Sequence, residues 1–163
     1  MSTTVFAGAG TTRATGTEPV WIVPLDDHAD DYDHVCLRRV FSDERDACHS
    51  VVIVDTRKLL QCADRDRTDY VLPAVSQWHS GKIRGIREFL DPAGDHIPTM
   101  SHVTIGRCRA PGIRGLLGLD HLGVVTFLNG QHRARYLAYA GAQTLPVEVH
   151  EREAELLKAL CGA

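Results

Sequence analysis

The pattern of apolar positions along this chain predicts six short strands. The strongest is a run of β-branched residues at positions 51–54, which is typical of a buried strand. The others fall at residues 20–25, 35–41, 101–105, 123–128 and 145–149. Pro146 cannot donate a hydrogen bond to a neighbouring strand, so it predicts that the last of these strands lies at a sheet edge.

Apolar residues at helical spacing predict helices at residues 57–61, 70–79, 83–90, 131–140 and 151–160. Asp55 and Thr56 form a turn or N-cap before the first helix. Ser80 and Gly81 are expected to stop the second, with Gly81 in a left-handed cap. Residues 109–120 are rich in glycine and predict a flexible loop. Because strands and helices mix without regular βαβ alternation, the sequence predicts an α+β fold with a mixed sheet.

The length of 163 residues and a hydrophobic content of 44% indicate one ordinary globular domain. Residues 1–18 are mostly small and polar and predict a disordered tail, so the domain is expected to span residues 19–163. The chain has neither a secretory signal pattern nor an apolar run of roughly 20 residues, so we expect no membrane insertion and a cytoplasmic location. Five cysteines, an odd number without CxxC spacing, favour a reducing cytosol and small buried side chains over disulfides or a zinc site.

The net charge of −3 alone argues against binding to nucleic acid, but the charge is unevenly distributed. Residues 101–140 contain five arginines and a single acidic residue. The arginines are Arg107, Arg109, Arg114, Arg133 and Arg135. A local positive field of this kind attracts phosphate even when the whole protein is acidic.

The candidate chemistry lies in residues 129–133, where a predicted strand passes through Asn129 and Gly130 into a predicted helix. Amide groups at such a junction point at one spot, and the helix dipole adds positive charge there. Gly130 allows close approach of a ligand, while His132, Arg133 and Arg135 add cationic donors. The pattern therefore indicates a phosphate site. The alternative is an ordinary Asn-Gly turn followed by solvated residues of a first helical turn.

Residues 126–133 resemble the signature of the ParB/sulfiredoxin superfamily, in which a strand ends in a Gly-x-His-Arg segment that opens a helix. Residues 134–142 and 145–147 continue the resemblance, and residues 51–59 and 97–103 match more loosely. The resemblance implies a single ParB/sulfiredoxin-like domain with a small mixed sheet flanked by helices. Gln131 stands where sulfiredoxins have cysteine, so there is no thiolate for sulfinic acid repair. The glutamate of many ParB nucleotide switches and a helix-turn-helix are also missing.

A closer resemblance is to the plasmid fertility inhibition factors, carried by an ordered set of short segments. These are residues 54–59, 78–82, 89–92, 98–101 and 127–133. This family implies a protein that blocks conjugative transfer of a plasmid or of T-DNA, with nucleotide hydrolysis and DNA cleavage. It further implies ATP or another nucleotide and Mg²⁺ as cofactors.

Carried over to this sequence, the resemblance implies that Gly130, His132 and Arg133 hold phosphate. We further expect His132 and Arg133 to be the catalytic residues, with His132 as general acid or base and Arg133 stabilising charge, and Asn129, Gly130, Gln131 and Arg135 to bind the phosphate or nucleotide. Asn129 would orient the phosphate or a metal-bound water.

Three weaker patterns have alternative interpretations. Arg107, Arg109 and Arg114 are either contacts to a DNA backbone or solvated arginines. The Asp/His run at residues 26–34 is either a divalent metal site or, as we expect, an acidic loop. Gly81-Lys82 is expected to be a helix cap and a surface lysine rather than a phosphate contact.

Three hypotheses follow for the function. The first is an enzyme that acts on DNA and a nucleotide. The second is a binding module that docks on a protein of the type IV secretion or DNA-transfer apparatus. The third is a protein linked to an interbacterial effector that uses the same fold.

Overall fold

A computed structural model describes residues 11–15, 18–26, 32–41, 48–66 and 72–163 of the chain. The first part is an antiparallel sheet in the order β1 (Thr11–Thr15), β2 (Glu18–Pro24) and β3 (His34–Arg38). Strand β1 lies inside the predicted disordered tail, so the fold begins before residue 19. The tail was predicted because its residues are small and polar. The pairing of β1 with β2 uses backbone hydrogen bonds, which do not require apolar side chains. Residues 1–10 lie outside the described part.

The second sheet contains β4 (His49–Asp55), β5 (Ser101–Arg109), β6 (His121–Asn129) and β7 (Thr144–His150) in the order β4-β7-β5-β6. The pairs β4–β7 and β5–β6 are antiparallel, whereas β5 and β7 are parallel. This confirms the predicted mixed sheet.

The prediction that Pro146 marks an edge strand is wrong, because β7 is paired on both sides. Pro146 lies opposite Ile53 in the ladder with β4. The ladder with β5 begins only at Val147, opposite Ser101. The proline thus sits just outside the parallel ladder, which is why an interior strand tolerates it.

The helices are α1 (Thr56–Ala63), α2 (Ser80–Leu90), α3 (Ile113–Leu116), α4 (Gln131–Tyr139) and α5 (Glu151–Cys161). The N-cap of α1 is confirmed: Asp55 Oδ1 accepts a hydrogen bond from the Lys58 amide at 2.8 Å. Helix α3 lies within the glycine-rich segment that was predicted to be a flexible loop. Among the described residues, no helix has the length and apolarity needed to span a membrane.

The predicted helix at residues 70–79 is wrong over its described residues, which form only the 3₁₀ turn Val75–Gln77. Pro73 disfavours helical backbone at the preceding residue, and Trp78 Nε1 donates to the Pro73 carbonyl at 2.9 Å. The predicted stop at Gly81 is also wrong. His79 caps α2 by accepting from the Gly81 amide at 3.1 Å, so Gly81 begins a helix rather than ending one.

A buried carboxylate joins the two sheets. Glu148 on β7 is fully buried and accepts hydrogen bonds from Arg39 Nε at 2.7 Å and from the Val40 amide at 2.6 Å. A third hydrogen bond comes from the Phe41 amide at 3.2 Å, and Arg39 also donates to the His49 carbonyl at 2.8 Å. The segment that follows β3 is therefore fixed against the middle of the second sheet.

We expect Arg39→Ala to lower the free energy of unfolding by about 3–5 kcal/mol, because it leaves the buried Glu148 carboxylate without its cation. Urea denaturation of the purified chain measures this change. Arg84→Ala, at an exposed arginine on α2, is the control and should change stability by less than about 0.5 kcal/mol. Equal effects of the two substitutions would contradict the role given to Arg39.

Candidate phosphate site

The predicted bend between strand and helix is present at Gly130. Strand β6 ends at Asn129 and α4 begins at Gln131, with Gly130 between them at a φ of 82°. A Cβ atom at this position would lie 2.7 Å from Ser101 Oγ and 2.8 Å from Arg133 Nη2. Both the left-handed backbone and the close packing therefore require glycine.

Ser101 holds the bend against the start of β5. Its hydroxyl donates to the Gly130 carbonyl at 3.0 Å, and the residue is buried. The same carbonyl accepts the Ala134 amide at 3.0 Å, which is the first turn of α4. The position of the α4 N-terminus is thus set by β5 as well as by β6.

His132 lies on one side of this first turn, next to Trp78. The two ring centroids are 5.5 Å apart, and Lys82 Nζ lies 4.4 Å from the Trp78 ring centroid. Partial burial lowers the pKa of His132, and the charges of Lys82 and Arg135 lower it further. The imidazole is therefore mainly neutral at pH 7 and able to accept a proton.

Arg133 has different neighbours. Its Nη2 lies 3.5 Å from Asn129 Oδ1, and its guanidinium carbon lies 5.9 Å from the Phe89 ring centroid. Burial lowers the pKa of Arg133, but a guanidinium in a protein keeps its charge. Among the described residues, its buried Nε atom has no hydrogen-bond partner.

The two candidate catalytic side chains thus lie on different sides of the first turn of α4 and have different neighbours. Consecutive residues of an α-helix point about 100° apart, which accounts for this division. His132 and Lys82 form one side, and Arg133 and Asn129 form the other. Gln131, at the first position of α4, is partly buried.

Arg135 is held within the fold. It forms an ion pair with Asp64, with Arg135 Nη2 2.5 Å from Asp64 Oδ1, and its side chain is only 10% exposed. This pair ties α4 to the end of α1. The structure therefore gives Arg135 a contact between helices in addition to its influence on His132.

The three arginines predicted to contact DNA lie away from the bend. Arg107 and Arg109 are at the far end of β5, and Arg114 on α3 pairs with Asp120 at 2.9 Å. Arg107 and Arg109 line a cavity of about 990 Å³, together with Arg65. The structure therefore separates the predicted DNA contacts from the predicted phosphate site.

A carboxylate also lies in this cavity. Asp66 is buried and hydrogen-bonded to the Thr126 hydroxyl. The cavity is thus lined by arginine side chains and by a carboxylate whose hydrogen bond to Thr126 is already formed.

The residues around the bend do not fit a protein-held Mg²⁺ ion. Over the described ranges, the chain has no group of three or more His, Cys, Asp or Glu side chains placed to hold a metal. Mg²⁺ requires oxygen ligands in octahedral geometry, and the Asp64 carboxylate is already paired with Arg135. Most of the acidic run at residues 26–34, namely residues 27–31, falls outside the described residues.

Ser101 is a residue of the candidate site that the sequence analysis did not identify. Lys82 is exposed, as predicted, and its ammonium group lies over Trp78, next to His132. Both residues fall in segments that carry the family resemblance, namely residues 78–82 and 98–101. The resemblance was therefore the feature of the sequence that could have pointed to them.

The fold is that of a ParB/sulfiredoxin-like α+β protein. The crystal structure of an oncogenic suppression activity protein, described as a plasmid fertility inhibition factor and solved as a gold(I) cyanide derivative, superposes with a TM-score of 0.67. The two chains are 15% identical, and the match covers 96% of this chain and 76% of that one.

The sequence profile of the plasmid fertility inhibition factor family matches residues 51–162. The chain therefore belongs to this family, which confirms the resemblance seen in the sequence. No curated protein matches the sequence significantly.

We expect Gly130→Ala to destabilise the protein by about 2–4 kcal/mol, because it combines a left-handed residue with a clash against Ser101. Gly118→Ala is the matched control: its φ is 72°, but nothing lies within 4 Å of the added Cβ, so about 1 kcal/mol is expected. Thermal and urea denaturation measure both. Equal losses would show that the packing against Ser101 contributes nothing.

Proposed function

We propose that this protein blocks conjugative transfer of a plasmid or of T-DNA, and that it does so by hydrolysing phosphate esters of DNA or of a nucleotide such as ATP at the Gly130 bend. Membership of the fertility inhibition family supports the biological role. The observation that carries the chemical part is the position of His132 and Lys82 beside the N-terminus of α4.

The first turns of two helices meet at Trp78. Lys82 belongs to the first turn of α2 and His132 to the first turn of α4, and both contact the Trp78 ring. Helix N-termini carry partial positive charge, so two of them with a lysine and an arginine nearby favour a phosphoryl group. Lys82 and Asn129 are exposed, which leaves this end of the molecule open to a ligand.

Within this proposal, each side of the bend has its own task. The neutral His132 imidazole takes a proton from the attacking water, as a general base does. Arg133 and Lys82 stabilise the negative charge that develops on the phosphoryl oxygens. The assay includes Mg²⁺ because nucleotide phosphates bind this ion themselves, so that the protein supplies one or two carboxylate ligands at most.

Incubation of the purified protein with plasmid DNA, ATP and Mg²⁺ tests the enzyme directly. We expect His132→Ala to reduce phosphate release or DNA cleavage by about 10²–10⁴-fold, because it removes the general base. Arg133→Ala should also reduce the rate. Arg84→Ala, at an exposed arginine on the neighbouring helix, should leave the rate unchanged. Equal background rates in all four proteins would refute catalysis at this site.

The pH dependence of the rate separates a chemical role of His132 from a structural one. The rate should fall as the pH drops through the pKa of His132, which lies below the ordinary value. Lys82→Met removes a positive charge and so raises this pKa, which should shift the acidic limb of the profile to higher pH. An unshifted limb would mean that another group titrates.

A second candidate function, docking on a protein of the DNA-transfer apparatus, is favoured by an exposed apolar tip. The hairpin between β5 and β6 carries four large apolar side chains that are 65–78% exposed. They are Ile113, Leu116, Leu117 and Leu119. Arg107 and Arg109 lie on the strand just before this tip, which favours a partner with an apolar groove and acidic rim.

Conjugation frequency in donor cells that express each variant distinguishes the two functions. If docking is responsible, the double substitution Leu116→Ser and Leu117→Ser should abolish inhibition, because it removes apolar contact area, while His132→Ala keeps it. Tyr139→Ser, at an exposed aromatic outside the tip, is the control and should keep inhibition. Loss of inhibition in His132→Ala with full inhibition in the double variant would contradict docking.

A further inference from the structure

Two buried cysteines lie in contact across two helices. Cys62 on α1 and Cys161 at the end of α5 are free thiols, and their sulfur atoms are 3.6 Å apart. They are 5% and 0% exposed, and 99 positions separate them along the chain. The other described cysteines, at positions 36, 48 and 108, are exposed or partly buried.

The surroundings make the two sulfur atoms chemically different. Cys161 donates a hydrogen bond to Cys62 Sγ, and Arg65 Nη1 lies 3.4 Å from the same sulfur. The Cys161 thiol and the Arg65 charge together lower the pKa of Cys62 to about 6. The pKa of Cys161 is raised, first by its hydrogen bond to Cys62 and then by burial. The shared hydrogen bond therefore favours the thiolate form at Cys62 and the protonated form at Cys161.

We propose that Cys62 and Cys161 are a redox-active pair that forms a reversible disulfide when the protein meets a peroxide. The geometry that carries this proposal is the direct contact of the two sulfur atoms, with the Arg65 guanidinium beside one of them.

The reaction proceeds in two balanced steps. The Cys62 thiolate attacks one peroxide oxygen, the O–O bond breaks, and the leaving hydroxide takes a proton to become water. The Cys62 sulfenic acid is then attacked by the Cys161 sulfur, the S–O bond breaks, and the hydroxyl leaves as water with the Cys161 proton. Two thiols are oxidised by two electrons and one peroxide is reduced.

The position of Arg65 provides a route for a small oxidant. Its side chain lines the 990 Å³ cavity and also donates to the Gly123 carbonyl at 3.0 Å. A small oxidant in this cavity would lie next to Arg65, whose Nη1 contacts the Cys62 sulfur. A disulfide bond measures 2.03–2.05 Å, so the two sulfur atoms then approach each other by about 1.5 Å.

The test uses the full chain, treated with hydrogen peroxide, alkylated, and digested without reductant. Mass spectrometry should show the peptides of Cys62 and Cys161 joined, with a mass lower by two hydrogen atoms than the reduced pair. Dithiothreitol should reverse the link. Oxidation should also raise the melting temperature by roughly 5–10 °C, because the link closes a long loop.

The variants Cys62→Ser and Cys161→Ser should both lose the shift in melting temperature. Cys48→Ser, at the exposed cysteine, is the control and should keep it. If both thiols remain open to alkylation after peroxide, or if the link involves position 36, 48 or 108 instead, the proposal is overturned. The mass measurement on the unmodified chain decides this even if a serine variant fails to fold.

The pH profile of alkylation tests the role of Arg65 as a positioning residue. The rate at Cys62 should rise through pH 6 and level off, whereas an ordinary thiol continues to gain reactivity up to about pH 8.5. Arg65→Ala should move this midpoint to higher pH and slow oxidation at neutral pH several-fold, and Arg65→Lys should restore much of the effect. An unchanged midpoint in Arg65→Ala would exclude this role.

Discussion

The buried carboxylate of Glu148 connects the parts of this fold. It lies in β7, the strand that joins the β4 side of the second sheet to the β5–β6 hairpin, and it binds the segment that leaves the first sheet. A carboxylate in this position is tolerable only because a guanidinium and two backbone amides satisfy it. Glu148 thus links the end of the first sheet to the second, next to the backbone hydrogen bonds that join Arg38 to Pro98 and Met100.

This constraint extends to the Gly130 bend. Glu148 pairs with His102 in the parallel ladder, and the residue before it, Val147, pairs with Ser101. Ser101 in turn holds the Gly130 carbonyl and leaves no space for a side chain at Gly130. The position of the α4 N-terminus is thus fixed through β5 from the middle of the sheet, so the donors of the site are held in place before any ligand arrives.

Local patterns predicted those features that local interactions determine. The β-branched run at residues 51–54 is part of β4, and Gly130 opens α4 as the motif indicated. Features that depend on distant contacts were missed. The apolar spacing at residues 70–79 resembles a helix, but Pro73 and the buried Trp78 hold the described part as an irregular segment. The meeting of Lys82 with His132 depends on how α2 packs on α4, and no short motif encodes such packing.

The β5–β6 hairpin places its apolar tip and the Gly130 bend at opposite ends of the same pair of strands. At about 3.3 Å per residue, the eight steps from Ser101 to Arg109 span roughly 25 Å. A ligand at the bend and a partner at the tip would therefore contact separate surfaces of the same molecule.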